Sequence, residues 1–414
     1  MKDTMKATFL FLCRLVPALV FLFSGFIKAI DPFGGMVKFE DYFTAFGWSF
    51  FHPLALPLSI ALAVFEFSLG FFLLFKLYMR WTATAALAMM GLFTLLTFYI
   101  ALFNPVSDCG CFGDAIKLSN WATFFKNVVV IAFAGGAWYF RKHYTTSSKP
   151  LKQVVLAALA VVYVLSLALY SHRNLPVLDF RPYAIGTNIP DKMRVPDGAA
   201  QPEYETIFTL EKEGVRATFG VDDYPYEDTT WVFVDSETRT ISEGYVPPLQ
   251  TFALMDPGTG DNLTAEVLSR PGAQFFLISP RLSGIKEDQV LQLAEMAERA
   301  RQNQQAFYFV TASGSEEMRA FDEKHSTLFS YLHADETTLK TIIRSNPGLL
   351  LIYDGTIAGK WHYRKLPPAK ITDQPLAYAL DEQRKSRQRR FMWLHALGIL
   401  MLPIIIKNIK PINN

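Results

Sequence analysis

The stretch "LALPLSIALAVFEFSLGFFLLF" (54–75) is 22 residues long and carries one charge, Glu66. About 20 apolar helical residues cross a hydrocarbon core roughly 30 Å thick, so this stretch predicts a membrane-spanning helix. Four further apolar stretches are of similar length: 7–27, 81–103, 121–140 and 153–171. The first of them resembles a signal peptide, but its length and the lack of a clear cleavage site favour a retained helix. We therefore predict an α-helical polytopic membrane bundle of five helices over residues 1–171.

The composition of the remaining chain changes sharply along its length. The 414 residues are 51% hydrophobic and 19% charged. Residues 172–390 are polar enough for a soluble domain, and 391–406 are apolar again. A net charge of +2 gives no electrostatic reason to expect nucleic acid as a partner. Three cysteines are too few for a disulfide scaffold, so any redox role must belong to a particular pair.

Basic residues predict the orientation of the helices. The loop 141–152 has four Lys or Arg and no acid, and the loop 76–80 has two. Cytoplasmic loops carry the excess of Lys and Arg. This places the loops 28–53 and 104–120 on the opposite side, together with 172–390. We predict a bacterial inner-membrane protein whose large domain lies in the periplasm.

The C-terminal segment does not fit the charge rule. The basic run "RKSRQRR" (384–390) would lie on the outer side, immediately before the apolar residues 391–406. Early helices usually decide topology, and large domains translocate regardless of their charge. We predict a basic linker over 371–390 and a membrane anchor over 391–414. The alternative is an amphipathic segment that lies in the membrane interface.

Three charged residues fall inside the apolar stretches: Arg14, Glu66 and Lys126. Charges in lipid are costly, so they usually pair or face the interior of a bundle. The simpler interpretation is bundle electrostatics, with Glu66 paired to Arg14 or Lys126; the functional one is contact with a proton or a quinone. Small residues suit close helix packing in lipid, and candidates are Gly70, Gly91, Gly135 and Gly136.

Two cysteines lie one glycine apart in "NPVSDCGCFGD" (104–114). A disulfide between Cys109 and Cys111 would close a small strained ring, and strained disulfides are easily exchanged. A redox-active pair, a structural lock of the loop, and a metal site shared with an aspartate all remain open. Asp108 and Asp114 are expected to raise the thiol pKa. Cys13, inside the first helix, is too far away to join this pair.

The pattern "LVFLFSGFIKAIDP", an acidic residue in the second helix and "DCGCFGD" between the third and fourth together resemble the DoxX/MauE membrane family over about residues 8–140. DoxX relatives are linked to quinone-coupled thiosulfate oxidation, and MauE to disulfide formation in an exported enzyme. The layout as a whole resembles a DoxX-type family of Bacteroidetes with a long outer domain. The resemblance implies a redox role for Cys109 and Cys111, with a quinone as the candidate cofactor.

Residues 172–245 read as a short β-rich segment, and 246–370 as a separate α/β domain. Apolar strands at 274–279 and 306–312 alternate with helical stretches, and Asp354-Gly355 is a strong hairpin turn. This β-α-β-α-β-β order resembles a thioredoxin fold of the TlpA or peroxiredoxin type, with Pro347 at the position of that family's cis-proline. No cysteine occurs within 172–390, and "PRLSGI" (280–285) stands where the family has its dithiol.

No other motif points to chemistry. His325, His333 and His362 lack metal-binding spacing, so we predict no metal site, and we find no phosphate-binding loop. We therefore expect a membrane thiol/disulfide redox accessory that acts on an exported protein. The alternative is a non-enzymatic scaffold, held in the lipid bilayer, whose thioredoxin-like domain only binds a partner. The sequence leaves open whether the chain is an enzyme.

Overall fold

A computed structural model describes residues 2–106, 108–144, 149–200, 203–221, 223–226, 228–242, 244–283 and 285–408. The membrane part comprises α1 (Lys2–Ile30), α2 (Pro32–Ala45), α3 (Ala55–Phe75), α4 (Met79–Phe103), α5 (Asn120–Tyr139) and α6 (Pro150–Arg173). Within the described residues, five helical segments are long and apolar enough to cross a membrane: Met5–Ile30, Ser49–Phe75, Met79–Phe103, Asn120–Tyr139 and Pro150–Arg173. The predicted helical bundle is confirmed.

Helices α1 and α3 form the closest contact of the bundle. A Cβ atom on Gly25 would lie 2.3 Å from the backbone nitrogen of Phe67, and one on Gly70 would lie 2.4 Å from that of Leu22. The two glycines therefore let the backbones touch, as small residues do between helices in lipid. Of the glycines chosen from sequence, Gly70 has this role, whereas Gly91 and Gly135 face open space.

The amphipathic helix α2 follows α1 after a sharp turn. The Asp31 carboxylate accepts a hydrogen bond from Gly34 N at 2.9 Å, and Pro32 occupies the first helical position. An acidic N-cap followed by proline is a standard helix start. The turn places α2 beside the loop 104–119 that joins α4 to α5.

The polar part of the chain contains two sheets. Strands β1 (Glu203–Lys212), β2 (Val215–Phe219) and β3 (Val232–Ser242) form an antiparallel sheet in the order β2-β1-β3. A mixed five-stranded sheet has the order β6-β5-β4-β7-β8, built from β4 (Ala273–Ser279), β5 (Ala306–Thr311), β6 (Ser330–His333), β7 (Gly348–Tyr353) and β8 (Thr356–His362). The predicted combination of a helical membrane part with a soluble α/β part is confirmed.

Helices cover both faces of the five-stranded sheet: α7 (Ile189–Met193), α8 (Thr264–Ser269), α9 (Glu287–Gln302), α10 (Ser315–His325), α11 (Glu336–Ile342) and the start of α12 (Pro375–Asn408). Alternate residues of β4 enter two different cores, with Phe275 and Leu277 on one face and Phe276 and Ile278 on the other. Burial on both faces explains why the central strands are continuous apolar runs.

Residues 175–193 belong to the α/β domain rather than to the small sheet. Tyr183 and Ile189 are buried in one of its cores, and Ile357 N donates to Thr187 O at 2.9 Å. The β-rich unit is therefore shorter than the predicted segment 172–245. The chain leaves α6, first contributes to the large domain and only then forms the three-stranded sheet.

The predicted linker 371–390 is mostly helical, because α12 runs without a break from Pro375 into the apolar segment. Trp393 packs against Tyr170 of α6, with ring centroids 5.4 Å apart, and Tyr163 OH donates to Trp393 O at 3.2 Å. Leu397 and Leu400 join the same core. The C-terminal helix thus lies along a spanning helix of the bundle.

The α1–α3 contact gives a stability prediction. We expect Gly25→Ala to force the two backbones apart and to lower the free energy of unfolding by about 1–3 kcal/mol. Gly91→Ala is the matched control in another spanning helix, where a Cβ meets nothing within 4 Å. Unfolding of the detergent-solubilised protein measures both. Equal stability of the two variants would contradict the close packing.

Candidate functional site

The cysteine pair lies in the loop between α4 and α5. Cys109 and Cys111 are free thiols, half-buried, with their Sγ atoms 2.8 Å apart. Gly110 between them has φ +67°, and a Cβ there would lie 2.9 Å from the side chain of Lys38. Glycine is therefore needed at this position both for its backbone angle and for space.

Helices α1 and α2 hold this loop by its carbonyl groups. Ser24 Oγ and Lys28 Nζ both donate to Cys111 O, at 2.7 and 3.0 Å. Tyr42 OH donates to Cys109 O at 3.0 Å. The thiol loop is thus held against the C-terminal end of α1, with Cys109 and Cys111 partly exposed.

Glu66 pairs with Lys28, and not with Arg14 or Lys126 as the sequence suggests. The Lys28 Nζ–Glu66 Oε2 distance is 2.8 Å, and Glu66 is 1% exposed. Sequence inspection overlooked Lys28 because it lies at the end of the first apolar stretch, where a lysine usually extends to the membrane surface. Glu66 Oε1 has no hydrogen-bond partner among the described residues.

The other two charges in the bundle have separate roles. Arg14 donates to the carbonyl groups of Leu73 and Leu74 at the end of α3. These are carbonyls that a helix end leaves without intrahelical partners. Lys126 Nζ lies 4.3 Å from the ring centroid of Phe112, beside the thiol pair. The structure therefore brings Lys126 to the site and leaves Arg14 away from it.

The two thiols differ in acidity. Cys111 has its pKa lowered to about 6, because the Cys109 thiol donates to its sulfur and Lys126 and Lys28 stabilise the thiolate. The same hydrogen bond and burial raise the pKa of Cys109 well above its ordinary value. Cys111 is therefore mostly a thiolate at pH 7, and Cys109 holds the shared proton.

The expected effect of the neighbouring aspartates on Cys111 is wrong, because both are neutralised by cations. Asp108 Oδ2 accepts from Lys38 Nζ at 2.9 Å, and Asp114 Oδ2 accepts from Arg344 Nη2 at 3.0 Å. Sequence spacing shows the carboxylates but not their partners, which come from α2 and from the distant α/β domain.

Arg344 joins the α/β domain to the bundle. Its Nε donates to Asp31 Oδ2 at 2.9 Å, while Nη2 binds Asp114, and the side chain is 9% exposed. Burial lowers the pKa of Arg344, but Asp31 and Asp114 raise it by more, so the net shift is upward. The α/β domain and the thiol loop thus lie on the same side of the bundle and in contact.

A cleft of about 670 Å³ lies between α2, the thiol loop and α11. Its wall contains Gly110 and Asp108 from the thiol loop and Lys340 and Arg344 from the α/β domain. A volume in this range suits a segment of a ligand or partner, and it lies directly beside the cysteine pair.

Pro347 lies three residues after Arg344, and the Asn346–Pro347 peptide bond is cis. Asn346 contacts the end of β4 and the segment 280–285 that follows it. Its Oδ1 accepts from Ser279 Oγ at 2.6 Å, and its Nδ2 donates to Arg281 O at 3.2 Å. These two hydrogen bonds join the chain just before β7 to the end of β4 and the segment after it.

The three histidines of the α/β domain do not meet. His325 lies at the end of α10, His333 at the end of β6 and His362 at the end of β8. Within the residues that the structure describes, no group of three or more His, Cys, Asp or Glu is placed to hold a metal ion.

Two family models match parts of the chain. Residues 6–140, which contain the helices α1–α5 and the thiol loop, match the family described as methylamine utilisation protein MauE. Residues 204–243, the three-stranded sheet, match a domain of unknown function (DUF8463). No curated protein and no solved structure matches the chain. The bundle is therefore similar to MauE, whereas the DoxX and thioredoxin resemblances stay predictions.

The acidity of Cys111 predicts its reactivity. Only the thiolate is alkylated, so the rate at Cys111 should reach half its maximum near pH 6 and fall at lower pH, in line with its pKa of about 6. Cys109→Ala removes the stabilising hydrogen bond and should shift the profile to higher pH. Alkylation is stopped after defined times, and peptide mass spectrometry then gives the rate at Cys111 separately from that at the buried Cys13. A midpoint near pH 9 in the native protein would contradict the assignment.

The Arg344 contact predicts how firmly the α/β domain is held. Arg344→Gln removes the cation from Asp31 and leaves Asp114 with only the exposed Lys117, 3.9 Å away. It should weaken domain docking by about 2 kcal/mol, less than for a fully buried pair because the carboxylates are partly solvated. Hydrogen exchange should increase in the thiol loop and in α2. Arg281→Gln, which removes an exposed partner of Glu336, is the control. Unchanged hydrogen exchange in both variants would contradict a role of Arg344 in holding the α/β domain to the bundle.

Proposed function

We propose that the chain is a membrane thiol–disulfide exchange component whose reactive group is Cys111. The observation that carries the proposal is the asymmetry of the pair. One sulfur is a thiolate at neutral pH, and the other is a protonated thiol 2.8 Å away. Nucleophile and resolving thiol are the two parts that exchange requires.

Exchange at this site balances without a further reactant. The Cys111 thiolate attacks one sulfur of a partner disulfide, forms a mixed disulfide and expels a partner thiolate. Cys109 then passes its proton to the expelled partner thiolate and attacks the Cys111 sulfur, which expels the second partner sulfur as a thiolate. The partner gains two electrons, and the chain gains a Cys109–Cys111 disulfide. The same steps in reverse oxidise a partner dithiol.

The reverse direction, oxidation of the partner, is favoured by the electrostatics. Lys28 and Lys126 stabilise the Cys111 thiolate, which exists only in the reduced form. A site that stabilises its own reduced form has a disulfide that oxidises others readily. In the reverse direction Cys111 also leaves last, as a stabilised thiolate. The chain would then introduce disulfides into an exported protein.

The α/β domain would present that partner. Its strand order, its cis Asn346–Pro347 bond and the adjacent 280–285 segment support a thioredoxin-like domain. A domain of this shape without cysteines retains a surface for an extended peptide but has no nucleophile of its own. The cleft beside Gly110 lies between Lys340 and Arg344 of this domain and the thiol loop. A cysteine of the bound partner would therefore come within reach of Cys111.

Reoxidation of the pair needs an electron acceptor. A quinone, when bound, would supply a two-electron acceptor in the membrane. The residues that fit it are Glu66, whose Oε1 has no hydrogen-bond partner in the described part of the chain, and Lys28 beside it. These groups would hold a polar ring substituent and take up a proton below the thiol loop.

The similarity of residues 6–140 to the methylamine utilisation protein MauE agrees with this proposal. A role in the maturation of an exported enzyme of that kind fits a thiol pair beside a docking cleft. We place the protein in a bacterial inner membrane, with the α/β domain and the thiols in the periplasm, because thiol–disulfide exchange with exported proteins takes place there.

A non-enzymatic scaffold is the second candidate. The ion pairs of Arg344 favour it, because they hold the α/β domain to the bundle and the thiol loop through two carboxylates. In a scaffold the cysteines would only shape the loop. The two candidates differ in whether the pair changes its redox state when the partner is present.

Cysteine variants distinguish the candidates. We expect Cys109→Ser to trap a mixed disulfide between Cys111 and a partner, because the resolving thiol is missing. Cys111→Ser should trap far less, since the remaining thiol is protonated at pH 7. Cys13→Ser is the matched control within the bundle. Non-reducing electrophoresis of native membranes, with acid quenching, detects the adduct.

The redox state of the thiols in exported proteins is the second measurement of this test. Loss of both Cys109 and Cys111 should leave exported thiols more reduced than in the parent strain. No adduct in Cys109→Ser, together with an unchanged thiol state of exported proteins, would leave the scaffold as the function.

A further inference from the structure

A second cavity, of about 520 Å³, lies where the α/β domain meets the outer end of α6. Its wall is formed by the chain segment 174–180, by β8 and by the part of α12 that precedes the apolar residues. We call it the joint groove. The cysteine pair does not line it, and Ser386, Arg389 and Arg390 of the basic run that the charge rule leaves unexplained do.

The position of Trp393 sets the depth of the joint groove in the membrane. Trp393 packs on Tyr170, three residues before the end of the spanning segment Pro150–Arg173. Arg389 and Arg390 precede Trp393 by four and three residues, which is about 5 Å along a helix axis. They therefore lie where the apolar span ends, at the level of lipid headgroups.

The joint groove is positively charged. Four basic side chains line it against two carboxylates: Lys360, Lys365, Arg389 and Arg390 against Asp179 and Glu382. Asp179 is paired with Arg181 and Lys360, and Glu382 with Arg389. Among the described residues, Lys365 and Arg390 have no carboxylate partner, so they are available to an anion.

The rest of the wall is apolar or carries unused donors. Phe180 and Ile185 line the groove and are 46% and 42% exposed. Trp361, 6% exposed, also lines it, and its Nε1 has no acceptor in the part of the chain that the structure describes. Cations, an indole donor and an apolar wall at headgroup depth match an anionic amphiphile rather than a soluble ion.

We propose that the joint groove binds the headgroup of an anionic phospholipid from the leaflet on the side of the α/β domain. Lys365 and Arg390 contact the phosphate, and the apolar wall contacts the glycerol backbone and upper acyl chain. Basic residues next to a spanning helix attract anionic lipids in this manner. The arginines of the basic run lie on the side of the membrane where basic residues are less common. Lipid binding then gives them a physical role there.

The test measures lipid selectivity of the full chain. The protein is reconstituted in nanodiscs of phosphatidylcholine with one-fifth phosphatidylglycerol, and lipid retained after gentle extraction is counted by native mass spectrometry. We expect phosphatidylglycerol to be enriched on the native protein. In the double variant Lys365→Gln, Arg390→Gln, the enrichment should fall about fivefold for each charge that is removed. Undiminished enrichment in the double variant would overturn the proposal.

Two control variants test whether the loss of enrichment is specific to the groove and to its charge. Arg319→Gln removes an exposed charge from α10, outside the groove, and should leave the enrichment unchanged. The charge-retaining pair Lys365→Arg, Arg390→Lys should keep most of it, even if the Gln variants are less stable; loss here would contradict the proposal. Inorganic phosphate is added in lipid-free detergent as a separate arm. Saturable phosphate binding that competes fully with phosphatidylglycerol would assign the groove to a free anion instead.

Discussion

The site depends on one ion pair, between Lys28 and Glu66, on the side of the bundle that faces the α/β domain. A buried carboxylate in a spanning helix is stable only with a partner that neutralises it. Lys28 does so, and the same ammonium group also donates to Cys111 O and contributes to the low pKa of Cys111. The charge that makes Glu66 tolerable in the membrane thus also helps to lower the pKa of Cys111, together with the Cys109 thiol and Lys126.

A second set of charges extends this arrangement to the soluble part. Asp31 caps α2 and also binds Arg344, and Asp114 at the end of the thiol loop binds the same guanidinium. Because Arg344 lies three residues before Pro347, the α/β domain is held by the edge that carries its cis peptide bond. The attachment of the α/β domain to α2 and the geometry of the thiol loop therefore depend on the same buried arginine.

Local patterns predicted much of the fold. Apolar length sufficed for the five spanning segments, and Asp354-Gly355 marked a hairpin in which both residues have positive φ. The linker before α12 was missed because its basic residues look like solvated chain, although they are good helix formers. The cysteine pair was also visible in sequence. Its chemistry was not, since Lys28, Lys126 and Arg344 reach it from three separate elements.

The α/β domain is attached to the bundle at both ends. It follows α6 and leads into α12, and these two helices lie side by side through Trp393 and Tyr170. A domain on two adjacent stalks cannot swing away as one on a single tether can. A molecule bound to this domain would therefore stay close to the thiol loop, at an effective concentration that dilution does not change.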